Sequence, residues 1–145
     1  MSETTGLTKD AGWQIGVSKV MPFAPEQVWQ FLVKHPELWL GDGVVLPVNK
    51  GDSWQATDGS SGELRSFHPN DRIRLTWLSP ESDHESTVQV TVSMASGGTT
   101  LRFHQERMAS AAERAAQRKH WQRVIETILD AFERSASTEP RGMRG

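Results

Sequence analysis

The sequence contains no cysteine and no tyrosine among its 145 residues. The absence of cysteine excludes disulfide bonds, thiolate catalysis and zinc sites with thiolate ligands. No apolar stretch approaches the ~20 residues that a membrane-spanning helix needs, and the polar first twelve residues do not form a secretory signal. The sequence therefore predicts a cytoplasmic protein that does not insert into a membrane.

The sequence also has no large excess of positive or negative charge. It contains 16 Lys and Arg and 18 Asp and Glu, and its pI is near 6.2. Nucleic-acid-binding domains usually carry a strongly basic balance, so we expect no nucleic-acid partner. The length fits a single domain. We predict a flexible N-terminal arm over residues 1–12, one domain over 13–134, and a flexible tail over 135–145, whose small, Pro and Gly residues have little to bury.

The first third of the chain reads as one strand and two short helices. Trp13–Val20 alternates apolar and polar side chains, as half-buried strands do. Pro25 suits the first position of a helix because its missing N–H is not needed there, and the apolar spacing predicts a helix over Pro25–Val33. A second short helical turn is predicted from Pro36 to the Gly-Asp-Gly at residues 41–43.

From Val44 onward the hydrophobic period changes to two, and Gly, Pro, Asn and Asp turns separate short segments, which predicts an antiparallel meander. The six candidate strands are Val44–Val48, Ser53–Thr57, Gly62–His68, Ile73–Leu78, Ser86–Ser93 and Thr99–Met108.

The last element is a predicted helix over Ser110–Glu133, which has no Gly or Pro and many strong helix formers. Ser110 and Glu113 have the spacing of a capping box. An apolar stripe runs along one side of the helix through Trp121, Ile125, Ile128, Leu129 and Phe132. The only surface wide enough to cover this stripe is the predicted sheet.

Several motifs occur in a fixed order along the chain. They are Phe23-Ala-Pro-Glu-Gln-Val-Trp29, Gly62-Glu-Leu, His68-Pro-Asn-Asp-Arg-Ile73, Leu75-Thr-Trp77, Gly97-Gly-Thr-Thr-Leu-Arg-Phe103, and Trp121 with Ile125 and Leu129. This order resembles the START/SRPBCC superfamily, and within it the family of the C-terminal domain of the activator of heat-shock protein 90 ATPase. The resemblance implies an α+β helix-grip fold, β-α-α-β6-α, with a curved antiparallel sheet around a long C-terminal helix. The chain departs from the family pattern at Gln105, where the family often has His, and at His120, where it often has Gly.

The resemblance also implies a cavity between the sheet and the long helix, with apolar walls and a few polar anchors. Gln105 and Arg107 share the inward parity of Phe103 and are candidate anchors for a carboxylate or carbonyl, and Thr57 and Ser66 are further candidates. The candidate ligand-binding residues are Trp39, Leu46, Trp54, Phe67, Trp77, Val90, Phe103, Gln105, Arg107, Trp121 and Ile125. The alternative reading of the four Trp is that they fill a close-packed core.

No catalytic or metal-binding motif accompanies this pattern. The five His residues fall on different segments, of which His68 and His84 flank turns and His104 should point away from the cavity. There is no nucleophile elbow, phosphate-binding loop or dinucleotide fingerprint. We therefore expect no metal, no cofactor and, on balance, no catalytic activity.

The favoured hypothesis is a binding protein that encloses an apolar or amphipathic small molecule, as a monomer or weak dimer. One alternative is a protein-interaction module, a chaperone partner similar to the heat-shock ATPase activator, which docks an acidic protein on the locally basic segment Arg102–Arg123. The other alternative is an enzyme similar to polyketide cyclases. Fold alone does not decide between these.

Overall fold

The computed structural model describes residues 7–8, 12–82 and 84–138. A strand pair is followed by one helix and a 3₁₀ turn, then by five strands and a long helix. The elements are β1 (Leu7–Thr8), β2 (Gly12–Met21), α1 (Pro25–Lys34), the 3₁₀ turn Pro36–Leu38, β3 (Ser53–Gln55), β4 (Ser61–His68), β5 (Arg72–Trp77), β6 (Ser86–Ala95), β7 (Gly98–Met108) and α2 (Ala111–Thr138).

The strands form one seven-stranded antiparallel sheet in the order β1-β2-β7-β6-β5-β4-β3. Inward positions of neighbouring strands are paired, for example Val90 with Phe103 and Val92 with Leu101, and all four are buried. The long helix α2 packs against β2 and β7. This arrangement of a curved antiparallel sheet with a long C-terminal helix confirms the helix-grip fold.

The helix boundaries follow from capping. Pro25 is the first residue of α1, and the Gln27 side chain accepts a hydrogen bond from the Ala24 N–H at 2.9 Å. At the start of α2 the Ser110 hydroxyl accepts from the Glu113 N–H at 3.0 Å, as the capping-box spacing predicts. The predicted apolar stripe of α2 is turned to the core, with Trp121 and Ile128 buried almost completely.

The predicted strand Val44–Val48 is wrong, so five strands and not six follow α1. The side chains alternate as predicted, since Val44 is buried and Val45 is 83% exposed. However, this segment pairs with no other strand of the described sheet. Pro47 has no N–H to donate to a ladder, and Gly43, with φ of +81°, turns the chain just before the segment.

The domain limits were predicted at residues 13 and 134. α2 continues to Thr138, so Ser135–Thr138 are helical. Leu7 and Thr8, inside the predicted arm, pair with Trp13 and Gly12. The rest of the predicted arm before Gly12 and residues 139–145 of the predicted tail lie outside the described residues.

Candidate functional site

A chain of aromatic rings fills the centre of the gap between sheet and helix. Trp54 contacts Trp77 edge to face, with ring centroids 5.4 Å apart, and Trp77 contacts Trp121 in the same way at 5.6 Å. Trp121 stacks on Phe103 at 4.6 Å, and Phe103 lies 6.0 Å from Trp39. The predicted Trp residues therefore meet, but as packed neighbours and not as the walls of one large apolar cavity.

Three of the buried indoles also have their N–H satisfied inside the protein. Trp39 donates to the Leu32 carbonyl at 3.0 Å and Trp54 to the Thr76 carbonyl at 3.1 Å. Trp121 donates to Gln105 Oε1 at 2.8 Å. These three Trp residues are bonded and buried as core residues, so a ligand finds no free indole donor among them.

The remaining predicted apolar residues also pack in the core. Val90 and Ile125 are buried, while Leu46 and Phe67 are partly buried against the same cluster. Phe67 meets Trp29 edge to face at 5.7 Å. None of these four residues lines the cleft described next.

The cleft that we identify as the candidate site opens at one end of the gap, beside the start of α2. It has a volume of about 760 Å³ and lies between that helix end and the connection from β5 to β6. Of the eleven predicted ligand-binding residues it contains two, Trp77 and Gln105. The lining residues are Ser60, Trp77, Ser79, Pro80, Glu81, Ser82, His84, Ser86, Gln105, Ala109, Glu113, Gln117 and His120.

Gln105 is a buried residue of the cleft lining. Its side-chain amide donates to the Ser86 hydroxyl at 2.8 Å, and its carbonyl oxygen accepts from Gln117 Nε2 and Trp121 Nε1, both at 2.8 Å. The residue is 2% exposed. Through these bonds Gln105 ties β6 and β7 to α2. Because an amide has no titratable proton, Gln105 cannot serve as an acid or base.

His84 and Glu113 approach each other across the cleft. His84 Nε2 lies 3.1 Å from Glu113 Oε1, and His84 Nδ1 lies 3.0 Å from the Ser82 hydroxyl. From the sequence, His84 is expected beside a turn and Glu113 only in a capping role. The pairing joins residues 29 positions apart, and the sequence carries no signal for it except the position of Glu113 on the first turn of α2.

His120 forms part of the wall of the cleft next to Trp77. Its ring meets Trp77 edge to face at 6.0 Å and Trp121 at 4.7 Å. Its Nε2 is buried without a hydrogen-bond partner among the described residues. Burial, with a smaller contribution from the Arg123 guanidinium, lowers the pKa of His120 below its ordinary value, so the ring is neutral at pH 7.

Arg107 does not point into the gap, and its predicted inward parity is wrong. Opposite Trp13–Ile15, β7 has one extra residue, and Arg107 has φ of +67°. Such a bulge reverses the side-chain alternation, so Met108 is buried and Arg107 is exposed. Arg107 instead lines a groove of about 550 Å³ on the outer face of the sheet with Arg65 and Arg74.

Two other predicted anchors also lie outside the cleft, since Thr57 is exposed and Ser66 is half-buried elsewhere on the sheet. His104 points away from the core, as predicted, and contacts Gln14 Oε1 at 2.9 Å. Burial lowers the pKa of His104, although nearby Glu106 opposes this shift.

Within the described part of the chain, no group of three or more His, Asp or Glu side chains is placed to hold a metal ion. No described helix has the length and apolar character to cross a membrane. What the cleft offers is an aromatic wall, hydroxyl and amide groups, two imidazoles and two carboxylates.

Comparison with known proteins shows which family and which solved structures this chain is similar to. No curated protein matches the sequence significantly. Among solved structures, CalU16 from Micromonospora echinospora is similar with a TM-score of 0.72 and 18% identity, covering 94% of this chain and 84% of its own. The Aha1 dimer from Colwellia psychrerythraea is similar with a TM-score of 0.70 and 14% identity, covering 83% and 96%. A protein from Mesorhizobium loti has a TM-score of 0.70 and 22% identity, covering 83% and 97%. The family described as "Activator of Hsp90 ATPase homolog 1-like protein" matches residues 22–133, and the chain belongs to that family.

Proposed function

We propose that this protein binds an amphipathic small molecule in the cleft beside the start of α2 and does not transform it chemically. The observation that carries the proposal is the cleft itself, because about 760 Å³ is a volume typical of ligand sites. Trp77, Pro80 and Ala109 supply apolar surface, and Ser, Gln, His and Glu side chains supply polar surface.

The packing of the core favours an amphipathic ligand over a purely apolar one. The rings between Trp39 and Trp77 are in contact, so the centre of the gap has no open apolar chamber along this ring chain. A ligand therefore occupies the mouth of the gap, where polar side chains lie beside the apolar ones. This moves the proposed site outward from the place that the sequence predicted.

The arrangement of the two imidazoles argues against catalysis. His84 Nδ1 lies 3.0 Å from the Ser82 hydroxyl, and its Nε2 lies 3.1 Å from Glu113 Oε1, which already accepts the Ala109 N–H. The Ser82 hydroxyl is also within 3.2 Å of the His84 carbonyl, which ties it to the local turn. His120 Nε2 is enclosed, and a general base must come within hydrogen-bond reach of the proton that it removes.

The test is a thermal-shift screen of fatty acids, flavonoids and polyketide-like aromatics with a variant that blocks the cleft. Ala109→Trp fills the cleft from its rim, and Ala112→Trp adds the same ring to an exposed position on the same helix outside the lining. A true ligand stabilises the folded state by about 2.7 kcal/mol at a hundredfold excess over Kd. We expect that gain in the wild type and in Ala112→Trp, and its loss in Ala109→Trp. Equal gains in both variants, or no gain from any compound, would count against the proposal.

A second candidate function is protein interaction, and a separate observation supports it. Arg118, Lys119 and Arg123 are exposed on α2, and none of them has an ion-pair partner among the described residues. An acidic partner surface would complement this face. The test is the effect of the protein on the ATPase rate of purified Hsp90. An effect that the double change Arg118→Glu, Lys119→Glu removes, and the control Lys50→Glu keeps, would favour this second function.

A further inference from the structure

The ionisable side chains that line the cleft are either carboxylates or imidazoles. Among the described residues, its ionisable side chains are Glu81, His84, Glu113 and His120, with no Lys or Arg. The one arginine that the sequence offered as an anchor, Arg107, lies on the outer face of the sheet because of the bulge in β7. The described lining of the cleft thus lacks a permanently charged cation that would hold a carboxylate or phosphate.

The helix end beside the cleft does not replace that missing cation. A free helix N-terminus attracts anions through its unpaired N–H groups. Here Glu113 Oε1 accepts from the Ala109 N–H at 2.9 Å, and Ser110 caps the Glu113 N–H. The Glu113 carboxylate thus already provides a negative charge at the start of α2.

The two carboxylates retain capacity for a ligand. Both contacts of Glu113, with Ala109 and with His84, use Oε1, and Oε2 has no hydrogen-bond partner among the described residues. The Glu81 side chain is exposed on the opposite wall and has no ion-pair partner there either. Trp77 lines the same cleft and offers a flat apolar surface.

We infer that the cleft selects a cationic amphiphile: a protonated amine directed to Glu113 and Glu81, joined to an aromatic or aliphatic body that lies against Trp77. This rests on the proposed function, since it names the class of ligand for the same site. The amine satisfies a carboxylate, and the body covers the apolar wall. A ligand with a carboxylate in the same place would meet the like charge of the two glutamates, with no Lys or Arg in the described lining to balance it.

The experiment compares three probes that share one body and differ in charge: 2-(1-naphthyl)ethylamine, 2-(1-naphthyl)ethanol and 1-naphthylacetate. Their Kd values are measured by isothermal titration calorimetry at pH 7.5 on the wild type and on Glu113→Gln, Glu81→Gln and the control Glu133→Gln. The Glu113→Gln variant keeps an oxygen for the helix cap, while Glu81 is exposed and its change leaves the fold intact. Glu133 is exposed on the same helix outside the cleft.

We expect the amine to bind about tenfold more tightly than the alcohol. This gain in affinity lies between the small gain from an exposed ion pair and the large gain from a buried one. Each cleft variant should weaken the amine about threefold or more and leave the alcohol unchanged, whereas Glu133→Gln changes neither. Equal affinity for amine and alcohol, or tightest binding of the acid, overturns the inference while the proposed function stands. If none of the three probes binds, both the inference and the proposed function fail.

Discussion

Replacing Gln105 by Met tests whether this amide joins the sheet to α2. Met fills a similar volume but offers no hydrogen bond, so the change leaves three partners without Gln105. Gln117 is half-buried and turns to water. Trp121 Nε1–H and the Ser86 hydroxyl are buried, and the hydroxyl keeps only its 3.3 Å contact with the Trp77 carbonyl.

The size of the effect follows from these partners. Each buried polar group left without a partner costs about 1–3 kcal/mol. Trp121 loses its one acceptor, and Ser86 loses part of its bonding, so we expect a loss of about 2–5 kcal/mol. That is a large fraction of the total of about 5–15 kcal/mol for a domain.

Urea unfolding followed by Trp fluorescence measures this loss. Gln122→Met, an exposed change on the same helix, serves as the control and should stay within about 0.5 kcal/mol of the wild type. A Gln105→Met protein as stable as that control would refute the view that the Gln105 network joins the sheet to α2.

Three further predictions address the core, the sheet and acid stability. Ile128→Ala, at a site 1% exposed, should cost about 2–5 kcal/mol in urea unfolding because it leaves a cavity; a loss below about 1 kcal/mol would mean that α2 is not packed on the sheet. Gly62→Ala should abolish cooperative thermal unfolding, since the new Cβ would clash with the Thr76 carbonyl oxygen, whereas Ser53→Ala, an exposed change on the neighbouring strand β3, should keep a sharp transition. Because burial lowers the folded-state pKa of His120, the unfolded chain takes up a proton first as pH falls below about 6.5. Stability should therefore be full above that pH and decline below it, less steeply in His120→Gln, and identical pH slopes for the two proteins would contradict this assignment.

The elements that the sequence predicted well are those in which one pattern decides the structure. The stripe through Trp121, Ile125 and Ile128 has a helical period, and the segment contains no Gly or Pro. This pattern predicts a helix that buries the face carrying these residues. The runs in β6 and β7 alternate, and each has a partner strand to bury its apolar face.

The errors arose where the outcome depends on partners distant in sequence. Val44–Val48 alternates like a strand, but no described strand lies beside it to accept its hydrogen bonds. An inward Arg107 requires an uninterrupted ladder, but one extra residue of β7 opposite Trp13–Ile15 reverses the direction of its side chain. The His84–Glu113 pair depends on how the β5–β6 connection meets α2, which no local pattern specifies.

The most direct test of the central claim is an NMR titration of protein labelled with ¹⁵N in the Trp side chains, using 2-(1-naphthyl)ethanol as the neutral probe. The proposal predicts a saturable shift of the Trp77 indole resonance and no shift at Trp39, whose N–H is held by the Leu32 carbonyl inside the core. A shift at Trp39 without one at Trp77 would place the ligand in the core, and unchanged spectra at millimolar probe would contradict binding in the cleft.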